Sequence, residues 1–143
     1  MTSFAIGTNE SESVTVTVLG YTWPASGEFH DDNWLSCEVT VRADVFRGKF
    51  PAHLMTTEID GLFQGLRALY HELEGEYVFE PLEHQLVLRV VCDATGHLNV
   101  RITVTHDAGS ETRLRFTLSI DQTELAESLR QVSAVLKAFP IKR

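Results

Sequence analysis

The chain has 143 residues, 43% of them hydrophobic and 22% charged; these proportions belong to one ordinary globular domain and exclude a disordered chain, a collagen or a coiled-coil rod. Lys and Arg number 12 against 20 Asp and Glu, a formal net charge of −8, which disfavours nucleic acid or an anionic membrane surface as the direct ligand because both are held by cations. No apolar run approaches the roughly 18 residues of a spanning helix, and residues 1–10 lack the basic and apolar regions of a secretory signal. A cytoplasmic location is therefore expected, with Cys37 and Cys92 as reduced, buried thiols.

Residues 2–8 carry a weak strand pattern within a segment, 1–12, otherwise read as loosely ordered. In residues 13–19, Val14, Val16 and Val18 alternate with Thr15 and Thr17, the period of a half-buried strand. GYTWPASG (20–27) reads as a loop whose Tyr21 and Trp23 cover a core edge. The clearest strand is 34–45, with Cys37, Val39, Val41, Ala43 and Val45 on one face and Ser36, Glu38, Thr40, Arg42 and Asp44 on the other. Gly48 and Pro51 make 46–52 a short extension or turn.

Residues 57–73 read as an amphipathic helix: Ile59, Leu62, Phe63, Leu66, Leu69, Tyr70 and Leu73 recur at helical spacing. Thr57 and Asp60 resemble a capping box, and Gly75 is a plausible stop. Gly61 and Gly65 share a face with Ala68, which suggests close approach of the helix to the sheet. Residues 77–82, with Pro81, form an edge segment or loop. Three strands follow at 85–92, 97–105 and 112–120. The last helix covers 122–138, opened by Asp121 and Glu124 and stopped by Pro140. The order β-β-(β)-α-β-β-β-α means an α+β class: a single domain over 1–143, one antiparallel sheet of five to six strands, both helices on its apolar face, and no internal repeat.

The chemistry-bearing residues form no catalytic or metal motif. None of the six histidines has a partner at zinc-ligand spacing. His30 beside Asp31 and Asp32 is a polar turn with too few oxygens for calcium. His71 and His84 could meet, flanked by Glu72 and Glu83, as a proton-transfer pair or a small-ligand site. Nothing supplies a nucleophile, an oxyanion hole or a phosphate loop. No metal and no cofactor is expected, and the protein is read as no enzyme. Arg42, Arg89, Arg101, Arg113 and Arg115 are placed on the wet sheet face, either in cross-strand ion pairs or as a surface for an acidic ligand.

Charge is uneven: residues 1–83 hold 14 acids and 4 bases, residues 84–143 hold 6 acids and 8 bases. Glu72, Glu74, Glu76, Glu80 and Glu83 follow one another without a base, and Glu28, Asp31 and Asp32 add a second acidic loop. If both loops share one end of the fold, these eight residues make a negative patch for a basic partner. The plain alternative is a solvated acidic surface.

Five phrases occur in order: DDNWL (31–35), MTTEIDGLFQGL (55–66), FEPLEHQLVLRV (79–90), RFTLSIDQTEL (115–125) and AFP (138–140). Together, over residues 14–140, they resemble the bacterial WapI-like immunity family, small acidic proteins encoded beside polymorphic toxins. The resemblance implies a non-enzymatic protein that binds and neutralises a cognate, basic toxin domain, a nuclease in some cases. It assigns no contact residues. A generic protein-interaction or regulatory domain, and a small hydrolase or small-ligand binder using His71 and His84, are the alternatives.

Overall fold

The computed structural model describes residues 2–8 and 12–143. The N-terminal half runs β1 (Thr2–Gly7), β2 (Glu12–Tyr21), a one-turn α1 (Phe29–Asp32), β3 (Trp34–Ala43), β4 (Phe46–Met55) and α2 (Thr56–Glu72). The C-terminal half runs β5 (Gly75–Phe79), β6 (Leu86–Cys92), β7 (Leu98–Val104), β8 (Leu114–Ile120) and α3 (Gln122–Ala138). Each half is a four-stranded antiparallel meander followed by a 17-residue helix. The α+β class stands. The single five-to-six-strand sheet does not: among the described residues there are two sheets, ordered β1-β2-β3-β4 and β5-β6-β7-β8. The halves repeat a topology that their side chains do not repeat as sequence.

The two missed strands are edge strands that contain or precede a proline. Residues 46–55 form β4, in register with β3 from Ala43↔Phe46 to Trp34↔Met55. Pro51 fits because its carbonyl faces away from β3, accepting from Gln85 Nε2 at 3.0 Å, so its missing N–H also lies on the open side. Residues 75–79 form β5 and stop before Pro81. The N-terminal segment is β1, paired with β2 from Thr2↔Val18 to Gly7↔Ser13. The loosely ordered reading is thus corrected for residues 2–7, while residues 1 and 9–11 lie outside the described residues.

Alternation decides the layers. Val14, Val16 and Val18 of β2, Cys37, Val39 and Val41 of β3, Leu86, Leu88 and Val90 of β6, and Leu98, Val100 and Ile102 of β7 are all buried. With Ile59, Leu62 and Leu66 of α2 and Leu125, Val132 and Val135 of α3 they join one contiguous core. The other faces of both sheets carry mainly Thr, Ser, Asn and charged side chains, with Val78, Val87 and Val91 among them on the second. The helices are exchanged between the halves: α3 packs on β1 of the first sheet, and α2 packs more extensively on β5 than on its own β4.

Helix ends follow local chemistry. Asp121 caps α3, its Oδ1 accepting from the Glu124 N–H at 2.8 Å, as the start signal implied. The α2 cap differs from expectation. Its N-cap is Met55, and Glu58, not Asp60, reaches back, its Oε1 accepting from the Met55 N–H at 2.8 Å. The helix ends at Leu73, which takes the left-handed conformation itself (φ 58°), two residues before the glycine expected there.

Candidate functional site

The β2–β3 connection is built around two buried polar side chains. Asn33 is 0% exposed, and all its hydrogen-bonding capacity is used. Its Nδ2 donates to the carbonyls of Phe29 and Lys142, both at 2.8 Å. Its Oδ1 accepts from Thr56 Oγ1 at 2.6 Å and from the Lys142 N–H at 2.8 Å. One residue thereby ties α1, the first turn of α2 and the C-terminal tail together. Asp32 is 6% exposed. Its carboxylate accepts from Ser26 N (2.8 Å), Ser26 Oγ (2.9 Å) and Gly27 N (2.9 Å). The Ser26 N–H above all, then the Ser26 hydroxyl, the Gly27 N–H and the charge of Lys142, hold this carboxyl below the ordinary carboxylate range against the opposing effect of burial. The base of the loop is pinned by the Thr22 N–H to the Trp34 carbonyl (2.9 Å) and by the Tyr21 hydroxyl to the Pro140 carbonyl (2.6 Å). Lys142 lies 3.8 Å over the Tyr21 ring.

This held loop exposes apolar surface. Trp23 is 51% and Phe29 39% exposed. Tyr21 packs on the core as expected, but Trp23 does not. Trp23, Pro24, Ser26 and Asp31 line an open cleft of about 320 Å³, an indole wall beside a free carboxylate. Glu28 and Asp31 are exposed, and among the described residues no cation is ion-paired with either.

The eight acidic residues singled out in the sequence do not form one patch. Asp32 is withdrawn into the loop, a role that fits its short polar side chain beside a turn. Glu28 and Asp31 sit with the start of α2, through the Asn33–Thr56 bond. Glu80 and Glu83 lie at the same end, because the Leu82 N–H between them donates to Glu58 Oε2 at 2.8 Å. Glu72 and Glu74 lie at the other end of the 17-residue α2, about 24 Å along its axis. Glu76 is used by Arg89 in a two-pronged ion pair, at 2.9 and 3.1 Å. Glu80 is 3.5 Å from His84.

His71 and His84 are not brought together. His71 packs edge-on against Tyr70 and lines a cleft between α2 and α3. His84 closes the Pro81–His84 turn in the left-handed conformation and lines a different cleft, beside β6–β8. His30 packs edge-on against Phe29, and no group of three or more His, Cys, Asp or Glu among the described residues could hold a metal ion. Cys37 and Cys92 are free and buried. No helix of the described residues is long and apolar enough to cross a membrane.

The arginines expected on one wet face are divided between the sheets. Arg42 is on β3, while Arg89, Arg101 and Arg115 share the outer face of the second sheet, with Arg113 just before β8. The exposed Trp23 and the spent Asp32 were not legible from the sequence. A tryptophan beside glycine and proline carries no sign of whether it faces the core or solvent, and Asp31 and Asp32 differ only in the turn geometry each meets.

Residues 5–140 match the model of the immunity protein WapI-like family. No curated protein matches the chain. Among solved structures, WHY3 from Arabidopsis thaliana superposes with a TM-score of 0.54 at 15% identity, over 97% of this chain and 88% of that one. WHY1 from Arabidopsis thaliana superposes with a TM-score of 0.50 at 17% identity, over 96% and 89% respectively. At these identities the likeness is one of fold alone.

Proposed function

The chain belongs to the immunity protein WapI-like family, and from that premise we propose that it neutralises a cognate bacterial toxin domain in the cytoplasm by covering it, without chemistry of its own. The observation that carries the docking site is the loop at 22–33, where exposed Trp23 and Phe29 stand beside the uncommitted carboxylates of Glu28 and Asp31. Binding energy concentrates in a few aromatic and Arg anchors, and a loop already held by Asp32 and Asn33 loses little further freedom on docking. The cleft beside Trp23 suits a Lys or Arg side chain, with the ring face and the Asp31 carboxylate both attracting it. A toxin acting on nucleic acid holds its phosphates with such cations, so occupying them blocks the substrate. Glu80 and Glu83 at the same end, and Glu72 and Glu74 further off, extend the negative field that speeds capture.

The test is association kinetics with the toxin domain encoded beside this gene. Glu28→Lys with Asp31→Lys should slow association about tenfold or more at low salt, and the difference should shrink as salt rises. Trp23→Ala should act mainly by faster dissociation. No binding by the unaltered protein overturns the toxin reading. Binding that neither change weakens overturns the choice of loop.

A further inference from the structure

On the outer face of the second sheet, β6 and β7 place Arg89 directly opposite Arg101, and β8 places Arg115 opposite Thr103, one diagonal step from Arg101. Like charges directly opposed in a sheet destabilise it. Arg89 is relieved by Glu76. Among the described residues no carboxylate is ion-paired with Arg101, Arg113 or Arg115, although the chain has 20 acids for 12 bases. A ladder of uncompensated guanidinium groups in an acid-rich protein is therefore not the cross-strand ion pairing that such a face ordinarily shows. Two clefts open on it: one of about 430 Å³ with Arg113, Arg115, Thr103 and Thr105 in its lining, and one of about 260 Å³ with Arg89, Arg101, Asn99 and Thr117.

We propose that the outer face of the second sheet is a docking surface for an extended acidic segment of a protein partner, distinct from the 22–33 loop. Opposed and diagonal positions on neighbouring strands lie about 5 and 7–8 Å apart. Same-side carboxylates of an extended chain recur about every 6.8 Å, so two alternate acidic residues can meet Arg101 and Arg115, while Arg89 stays with Glu76. Threonine hydroxyls between the arginines serve the segment's other polar groups. Val78, 44% exposed on β5 opposite Arg89, with half-buried Val87 and Val91 of β6, gives the face an apolar component that suits a polypeptide.

Single-stranded nucleic acid fits less well. Its sequence-tolerant binding depends on aromatic side chains that stack the bases, and the positions of this face on β5 to β8 are Glu, Val, Arg, Asn, Thr and Ser, with no aromatic among them.

The experiment is fluorescence anisotropy of the intact protein at low salt, with a short labelled peptide of alternating glutamate and serine and, separately, labelled oligothymidylate. The peptide should bind, weaken with salt, and lose about tenfold in affinity in the Arg101→Glu, Arg115→Glu double variant, the change that two exposed charge contacts of ordinary size supply. Arg47→Glu, at the β3–β4 hairpin of the other sheet, should leave it unchanged. Absence of peptide binding overturns the proposal, as does binding insensitive to the Arg101 and Arg115 changes. Oligothymidylate that binds and displaces the peptide overturns it in favour of nucleic acid. The double variant's amide spectrum, if dispersed like that of the unaltered protein, excludes unfolding as the cause. None of these outcomes depends on the toxin-binding loop.

Discussion

Gly61 and Gly65 lie one helical turn apart, and a sequence reading treats them alike. The structure separates them by what stands opposite. A Cβ on Gly65 would clash with the Tyr77 ring at Cδ1, Cε1 and Cγ, whereas a Cβ on Gly61 would find the Tyr77 hydroxyl oxygen at an ordinary 3.9 Å. Gly65→Ala should therefore destabilise by about 1–3 kcal/mol, because overpacking outweighs the gain in helix propensity. Gly61→Ala should stabilise by up to about 1 kcal/mol. Urea unfolding of the two variants checks the opposite signs. Asp32 makes a second prediction at this scale. Its folded pKa is lowered, chiefly by the Ser26 N–H, so the unfolded chain binds its proton more readily. Its stabilising contribution is complete above the ordinary carboxylate pKa and is lost as pH falls through the lowered, folded value. Asp32→Asn should be less stable at neutral pH and show a shallower loss on acidification. Parallel curves for the two proteins, from urea midpoints across the acid range, would contradict this assignment.

Edge strands are where elements explain what side chains do. β1 leaves an open row of backbone groups, a pairing hazard for any sheet, and α3 closes it. The Ala5 N–H donates to Gln131 Oε1 at 2.8 Å, and Ser128 Oγ donates to the Ala5 carbonyl at 2.6 Å. Gln85 does the same for β4, accepting from the His53 N–H at 3.2 Å and donating to the Pro51 and His106 carbonyls at 3.0 and 3.1 Å. Gln131→Leu keeps the bulk but strands the Ala5 donor, so it should cost about 1–3 kcal/mol and speed hydrogen exchange at Ala5 more than at Val16 of β2. Equal exchange at the two sites would remove the edge-sealing role. These contacts also mark the limit of legibility. The alternation of β2, β3, β6, β7 and β8 and the stripes of α2 and α3 follow from local period, and each was readable. β4 and β5 were hidden because Pro51 and Pro81 read as breakers, when the first is tolerated by an open edge and the second lies just past the strand end. The roles of Ser128 and Gln131 have no local signal, because their partner Ala5 is more than 120 positions away in the chain. At the candidate site the exposed acids were legible as charge, but the exposure of Trp23, Asp32 as a fastener and the division of the arginines between two sheets depend on tertiary placement that no local pattern encodes.

The exchange of helices governs the molecule as a whole. Each four-stranded meander ends in a helix whose main tertiary surface belongs to the other half, α3 on β1 and α2 on β5, and the two helices also pack on each other. Removing either half exposes an edge strand and an apolar helix face of the other, so the halves should not open separately. Cys37, on β3 near the middle of the first sheet, offers a direct reporter. It is 1% exposed, and burial, opposed by a backbone contact at Leu54, pushes its thiol up to about 12. The folded protein thus presents no reactive thiolate there, and alkylation must wait for opening. The free energy of that opening, from the labelling rate of Cys37 in a Cys92→Ala background, should equal the opening free energy of the slowest amides of β6 and β7, such as Leu88 and Ile102. Cooperative halves require agreement within about 1 kcal/mol, the unit in which two-state behaviour is ordinarily judged. A Cys37 that reacts through a much cheaper opening than those amides would mean that the first sheet unlocks alone, and that the exchanged helices do not couple the two halves.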